Sequence, residues 1–338
     1  MEIFAIVEGV DHVCTRYRLS AFQKALSNAG FDLSFSPWPS SIWSRLKLIR
    51  SLAGKTVIIQ RKLIASSLVW LLRKTASKIV FDFDDAVFLR DSYSSKGIDD
   101  PGRLRRFRAI CKAADAIVAG NSFLAQHARM ASTKATIATI PTCVETTVYP
   151  FRQKHPTANA FELVWIGSSS TLNSLKLIEP CLEAIGEAFP QVQLKIICDR
   201  FPVFKKLRTL ECPWTAREEI QHICQANVGI CHMPDDRWSE GKCGLKLLQY
   251  MAGGLPSIAN PVGVHKEIII HGQTGFLADT KDQWLDAVAK LLNNSTLQRE
   301  MGQQARWRAE NSYSVQANQN AWIHLLQNVT SSLKTKAG

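Results

Sequence analysis

The stretch of clearest chemical content is residues 239–278, SEGKCGLKLLQYMAGGLPSIANPVGVHKEIIIHGQTGFLA. Gly241 and Gly244 bracket Lys242 just before a helical pattern that starts near Cys243, and Lys246 falls in its first turn. Backbone N–H groups at a helix start, approached closely because glycine has no side chain, suit an anion such as a diphosphate. Lys242 and Lys246 would add full charges there; the plainer reading is two solvated surface lysines. A second group sits in FDFDDAVF (81–88), where Asp84 and Asp85 follow a strand at its carboxyl end. Asp82-x-Asp84 mimics a metal-holding acid pair, whereas the plainer reading of Asp84 and Asp85 is a hydrogen-bonded turn at a strand end. In EGVDHVCTRYRL (8–19), Arg16 and Arg18 stand at the start of a helical pattern over 17–29. Positive charge there opposes the helix dipole, which points to placement for a ligand. His12 is the histidine nearest this region, and the eight histidines show no metal spacing.

These residues need elements to hold them. Apolar runs at 3–9, 31–36, 56–60, 78–85, 116–120 and 136–141 read as strands, with helical patterns over 17–29 and around 123–130 between them. After a polar stretch, RQKHPTANA, the pattern restarts: strands at 161–167, 193–198, 228–233 and 256–260 alternate with helices at 174–188, 216–225, 243–252 and 281–292. A short GVHKEII segment follows the 256–260 strand. Strand–helix alternation predicts an α/β protein of two doubly wound units, one over 1–152 and one over 160–312, with ligands at the carboxyl ends of the strands. The last helix, about 315–333, carries Ala321, Trp322, Leu325, Leu326 and Val329 as an apolar stripe and packs on a surface already built. Asn121 and Ser122 read as a helix cap.

Composition narrows the partners. The 338 residues carry a net charge of +12, with 21 Lys/Arg against 12 Asp/Glu in residues 1–150 and 20 against 17 afterwards. A basic front half faces an anionic partner. Residues 41–52 and 102–111 each read as an amphipathic helix with a basic face, suited to anionic lipid or to a solvated surface. No nucleic-acid motif or aromatic–basic interleaving occurs. No apolar run is long enough to span a bilayer, and the first residues lack a secretory pattern. Nine dispersed cysteines with no Cys-x-x-Cys pair predict reduced thiols and a cytoplasmic protein.

The segment 239–278 resembles the family 4 glycosyltransferases, two-domain enzymes of the GT-B fold. Their pattern is an acid, a glycine-rich turn, a helix ending in Glu-Ala-Met-Ala-x-Gly-x-Pro, a strand, then a glycine segment. IPTCVETTVY, VWIGSSST and the last helix, as the one crossing back to the first domain, extend the resemblance over nearly the whole chain. It implies two Rossmann-like domains, a nucleotide-diphosphate-sugar donor on the second, a glycan or lipid-linked acceptor on the first, and no metal or other cofactor. Gly167, Ser168, Lys242, Gly244, Leu245, Lys246, Gln249, Arg16 and Arg18 would then bind the donor, and Lys246, Glu240, Asp84 and Asp85 would serve catalysis.

Departures from the family are specific. Gln249 stands where a glutamate holds the ribose, and an uncharged amide makes weaker bonds. Gly241 occupies the other acid's register, with Glu240 one step away; Glu240 either swings toward the sugar or that role is absent. Ser168 replaces the arginine after VWIG, and Leu172 or Asn173 the lysine that follows, leaving Lys242 and Lys246 to balance a departing diphosphate. The resemblance implies a retaining, metal-independent transferase of cell-surface polysaccharide synthesis, cytoplasmic or peripheral at the inner membrane face. A nucleotide-sugar epimerase and a non-catalytic nucleotide-sugar-binding protein are the alternatives.

Overall fold

Short apolar runs, buried on both faces, favour parallel strands covered by helices. The computed structural model describes residues 1–151 and 160–331. The first sheet comprises β1 (Glu2–Val7), β2 (Asp32–Pro37), β3 (Thr56–Gln60), β4 (Lys78–Phe83), β5 (Ala116–Ala119) and β6 (Thr136–Thr139). The second comprises β7 (Phe161–Ile166), β8 (Val192–Cys198), β9 (Arg208–Pro213), β10 (Val228–Cys231), β11 (Ser257–Ala259) and β12 (Gly275–Leu277). The orders are β2-β1-β3-β4-β5-β6 and β12-β11-β10-β7-β8-β9, with every pair parallel. Strand order reverses between β1 and β3 in one sheet and between β7 and β10 in the other. Open α/β sheets bind ligands outside the carboxyl ends at such points.

The chain forms two units. The first contains Met1–Cys143, Asp236–Cys243 and the helix Val315–Ser331; the second contains Val144–Asp235 and Gly244–Ser314. On one side of the first sheet, Phe81, Phe83, Phe88 and Phe107 pack ring on ring at 4.8–6.0 Å. On its other side, Trp322, Leu325, Leu326 and Val329 of the last helix close a core around Ile3, Phe22 and Leu26. Ala321, read as part of that stripe, is exposed. Residues 332 and 333, and all but the last residue of the polar stretch before β7, lie outside the described residues. The second core gathers Trp165, Leu194, Ile196, Ile230, Trp284 and Val288.

Several elements differ from the sequence reading. The helix expected over 17–29 is two, Val13–Arg18 and Gln23–Asn28, joined by a tight turn. Its start lies earlier because His12 caps it, accepting from the Cys14 N–H at 3.3 Å. The helix expected over 174–188 breaks into Leu172–Leu177 and Glu179–Ala188, with Pro180 at the start of the second, where its missing N–H costs nothing. Strands β9 and β12 and helix Ser295–Arg308 carry too little periodic contrast to stand out in sequence, and helix Ser66–Thr75, with Leu68, Val69 and Leu72 buried, is an addition to the sequence reading. The GVHKEII segment forms the short helix His265–Ile268.

Candidate functional site

In the first unit, the carboxyl ends of β1, β3 and β4 gather alternating charges. Arg18 and Asp82 are both buried, with Arg18 Nη2 at 2.5 Å from Asp82 Oδ1. Arg18 also donates to the Ile140 carbonyl at 2.6 Å, and Gln60 bridges Thr15 to the Asp82 side. Arg18 and Arg16 fall in the last turn of Val13–Arg18, where positive charge favours the dipole. They do not oppose the dipole, contrary to the expectation from a helix starting at 17, and Arg18, 1% exposed, lies inside this network. Arg16 lies half-buried beside the Tyr17 ring.

Arg61, directly after β3, organises the neighbouring acids. Its guanidinium donates to Asp84 Oδ1 and to Asp85 Oδ2, each at 2.9 Å. Its backbone has φ +57°, a left-handed conformation costly for a residue with a side chain, and its N–H donates to the Asp82 carbonyl. Burial alone would raise the Asp84 carboxyl, but the Arg61 and Arg18 charges override it and hold Asp84 below the usual carboxylate value. Asp84 is therefore a fixed anion rather than a proton carrier near neutral pH. Asp82 pairs with Arg18 and Asp84 with Arg61. Among the described residues, no group of three His, Cys, Asp or Glu side chains gathers as metal ligands.

Lys242 belongs to this unit as well. Its ammonium lies 2.9 Å from Asp85 Oδ2 and 3.5 Å from the centre of the Trp238 ring. The segment Asp236–Cys243 is clamped by Asn121, whose Nδ2 donates to the Glu240 and Lys242 carbonyls at 3.0 and 2.9 Å. Asn121 Oδ1 accepts from the Leu124 N–H at 2.8 Å, which makes it the helix cap expected from sequence. A Cβ at Gly241 would lie 2.5 Å from the Ala86 Cβ, so this segment packs against the end of β4 only with glycine. Glu240 contributes its carbonyl to this clamp and leaves its carboxylate exposed.

The second unit places the other candidates. The helix Leu245–Ala252 begins after Gly244, not at Cys243, so Lys246 stands in its first turn while Lys242 falls in the other unit. Gly244 has φ +67°, and a Cβ on it would lie 2.3 Å from Ile268 Cδ1, so both backbone and packing demand glycine. No side chain caps this helix start. Lys246 Nζ lies 5.5 Å from the centre of the Trp165 ring. Gln249 is 4% exposed within the same helix.

After β7, Gly167 leads into a turn whose first donors are already engaged. The Ser168 N–H donates to Thr171 Oγ1 at 3.2 Å and the Ser169 N–H to Asp199 Oδ1 at 2.6 Å. Neither amide is left to face a ligand. Gly167 cannot carry a Cβ, which would lie 2.4 Å from the Trp165 indole.

Two residues went unsingled in the sequence. Arg61 was signalled by charge immediately after a buried strand, at a switch point. Tyr250 stands where the family pattern has alanine, and the glycine inside β10, Gly229, is its counterpart. A Cβ at Gly229 would lie 2.2 Å from Tyr250 Cδ2. Nearby, His265 Nδ1 donates to the Asn260 carbonyl at 3.0 Å, and Nε2 lies 3.4 Å from Cys231 Sγ. Burial drives the His265 imidazole down to about 4.

Residues 216–308, which include this helix and its flanking strands, match the sequence family described as Glycosyl transferases group 1. That stretch is what the chain shares in sequence with the group 1 glycosyl transferases. Its fold is GT-B. It superposes on sucrose-phosphate synthase from Thermosynechococcus elongatus with TM-score 0.76 and 16% identity, covering 98% of this chain and 99% of that one. A glycosyltransferase from Rickettsia africae gives TM-score 0.72 at 14% identity, with 97% and 98% covered. Anabaena HepE in complex with UDP and glucose gives 0.68 at 14%, with 97% and 100% covered. Locally, N-acetyl-alpha-D-glucosaminyl L-malate synthase of Bacillus anthracis is 43% identical over 65 residues, a stretch covering 19% of this chain and 17% of that synthase. No helix among the described residues is long and apolar enough to cross a membrane.

Proposed function

We propose that this glycosyl transferase moves a sugar from a uridine-diphosphate donor to a glycan or lipid-linked acceptor, with retention and without a metal. The observation that carries the reading is the uncapped start of Leu245–Ala252 beside β10, with Lys246 in its first turn, inside the matched family segment. The second unit binds the donor, and its helix amides and Lys246 take the diphosphate. The first unit receives the acceptor on the Arg61–Asp84–Asp85–Lys242 cluster, whose fixed charges orient hydroxyls rather than shuttle protons. UDP is favoured because UDP occupies the HepE structure, and the Bacillus synthase is named for an N-acetylglucosaminyl product.

A membrane face fits the same reading. Helix Ile42–Ser51 exposes Trp43 at 79% together with Lys47 and Arg50, and the adjoining helix Ser66–Thr75 exposes Trp70 at 64% with Lys74. Exposed tryptophan beside basic residues suits an anionic lipid surface. On helix Pro101–Ala113, Phe107 and Cys111 point into the core and Arg105, Arg106 and Arg108 outward.

The test is a thermal-shift panel of UDP, ADP, GDP and CDP, followed by release of UDP from UDP-glucose and UDP-N-acetylglucosamine. UDP at 100 times its dissociation constant should add about 2.7 kcal/mol of stability. A panel in which no nucleoside diphosphate shifts the melting temperature would overturn the reading.

A further inference from the structure

The switch point of the second sheet is held open by one phenol. Register between β7 and β10 runs from Val228↔Leu163 to Gly229↔Val164 and stops. In a continuing parallel ladder the next free N–H of β7 would reach a β10 carbonyl directly. Instead, the Ile166 N–H donates to Tyr250 Oη at 3.1 Å, and Tyr250 Oη donates to the Ile230 carbonyl at 3.3 Å. One oxygen is interposed where a single bond would draw the strands to ladder spacing. The ring that carries it is fully buried and lies against Gly229, where any Cβ would collide with Cγ and Cδ2.

Three parts of the candidate donor site meet at this oxygen. Ile166 precedes Gly167 and Ser168, Ile230 precedes the end of β10, and Tyr250 lies one helical turn beyond Lys246 on the same face. Lys246 lies over the ring of Trp165, the residue next to Ile166. Burial keeps the phenol far from ionising, so it remains both donor and acceptor.

We infer that Tyr250 is a positioning residue for the donor: its hydroxyl spreads the ends of β7 and β10 and sets the Gly167–Ser168 turn against the helix that carries Lys246. This assignment rests on the donor reading above. It also accounts for the tyrosine that replaces the pattern's alanine on the helix and for the glycine that makes room for it in the facing strand.

Tyr250→Phe keeps the ring in its slot and removes only the oxygen. Hydrogen exchange at the 161–170 peptide should quicken without ligand. The Kd for UDP and the KM for the sugar donor should rise about tenfold, while the acceptor KM stays unchanged. A purely structural hydroxyl would lower the melting temperature and leave both KM values alone, and that result overturns the assignment. A wild-type chain that binds no UDP would overturn the donor reading itself. Equal UDP binding by wild type and Tyr250→Phe would overturn the role of Tyr250 alone.

Discussion

The carboxyl ends of the two sheets solve the same topological situation with opposite materials. The first unit fills its end with ions that answer one another: Arg18 with Asp82, Arg61 with Asp84 and Asp85, Lys242 with Asp85. The second builds its end from glycine-permitted backbone, a phenol, a buried neutral imidazole and Lys246. Paired side-chain charges are rigid and strongly desolvated, suiting a fixed pattern of polar contacts. Backbone amides at a helix start offer partial positive charge, which suits an anionic ligand. The difference is one of material: side-chain ion pairs in the first unit, backbone and a single phenol in the second.

The sharpest way to break this comparison is to unbalance the first unit. Arg18→Ala leaves Asp82 buried and unpaired, which should cost about 3–5 kcal/mol of stability in denaturant unfolding. A loss under 1 kcal/mol would mean the network is not held by ion pairing. On the other side, Lys246→Ala should lower turnover by on the order of 10²–10³ with a smaller loss of donor affinity, because charge on the diphosphate grows as the sugar bond breaks. Near-normal turnover by the folded variant would move the phosphate contact elsewhere.

Acid should separate the units. His265 is neutral in the fold down to about 4, against about 6.5 in an unfolded chain, so the unfolded state binds the extra proton first. Stability from this group is complete above pH 6.5 and lost as pH falls toward 4, by roughly 2–3 kcal/mol. Asp84 has the opposite chemistry and a lowered value, so its contribution is present above the ordinary carboxylate range and fades only below it. Thermal midpoints between pH 7 and pH 4.5 should therefore fall in wild type and flatten in His265→Leu. The smallest effect is at Gln249: Gln249→Ala should weaken nucleotide binding by about 1 kcal/mol, and Gln249→Glu should keep or improve it. Calorimetry showing no change in either variant removes Gln249 from the site.

Much of this was legible in sequence where periodicity is strong. The β-rich runs and the turn chemistry of Gly241 and Gly244 marked both sheets and the segment that matters most. Lys246 could be placed because a first-turn position depends on local structure alone. Lys242 could not, because its partner Asp85 lies 157 residues away and only tertiary packing brings them together. Arg18 reads as a ligand-facing cation only if the helix starts at 17; the His12 cap shifts that start and turns the residue inward. Tyr250 and Gly229 were each ordinary letters, and their meaning lies in their being a pair.

The last helix carries one more consequence, for how the protein is made. Trp322, Leu325, Leu326 and Val329 close the core against Ile3, Phe22 and Leu26, residues synthesised well before them. The second unit lies between them in the chain and can complete its own core before they appear. The core of the first unit thus waits for a helix made after the whole second unit, and its open apolar face needs shielding from other chains until that helix arrives.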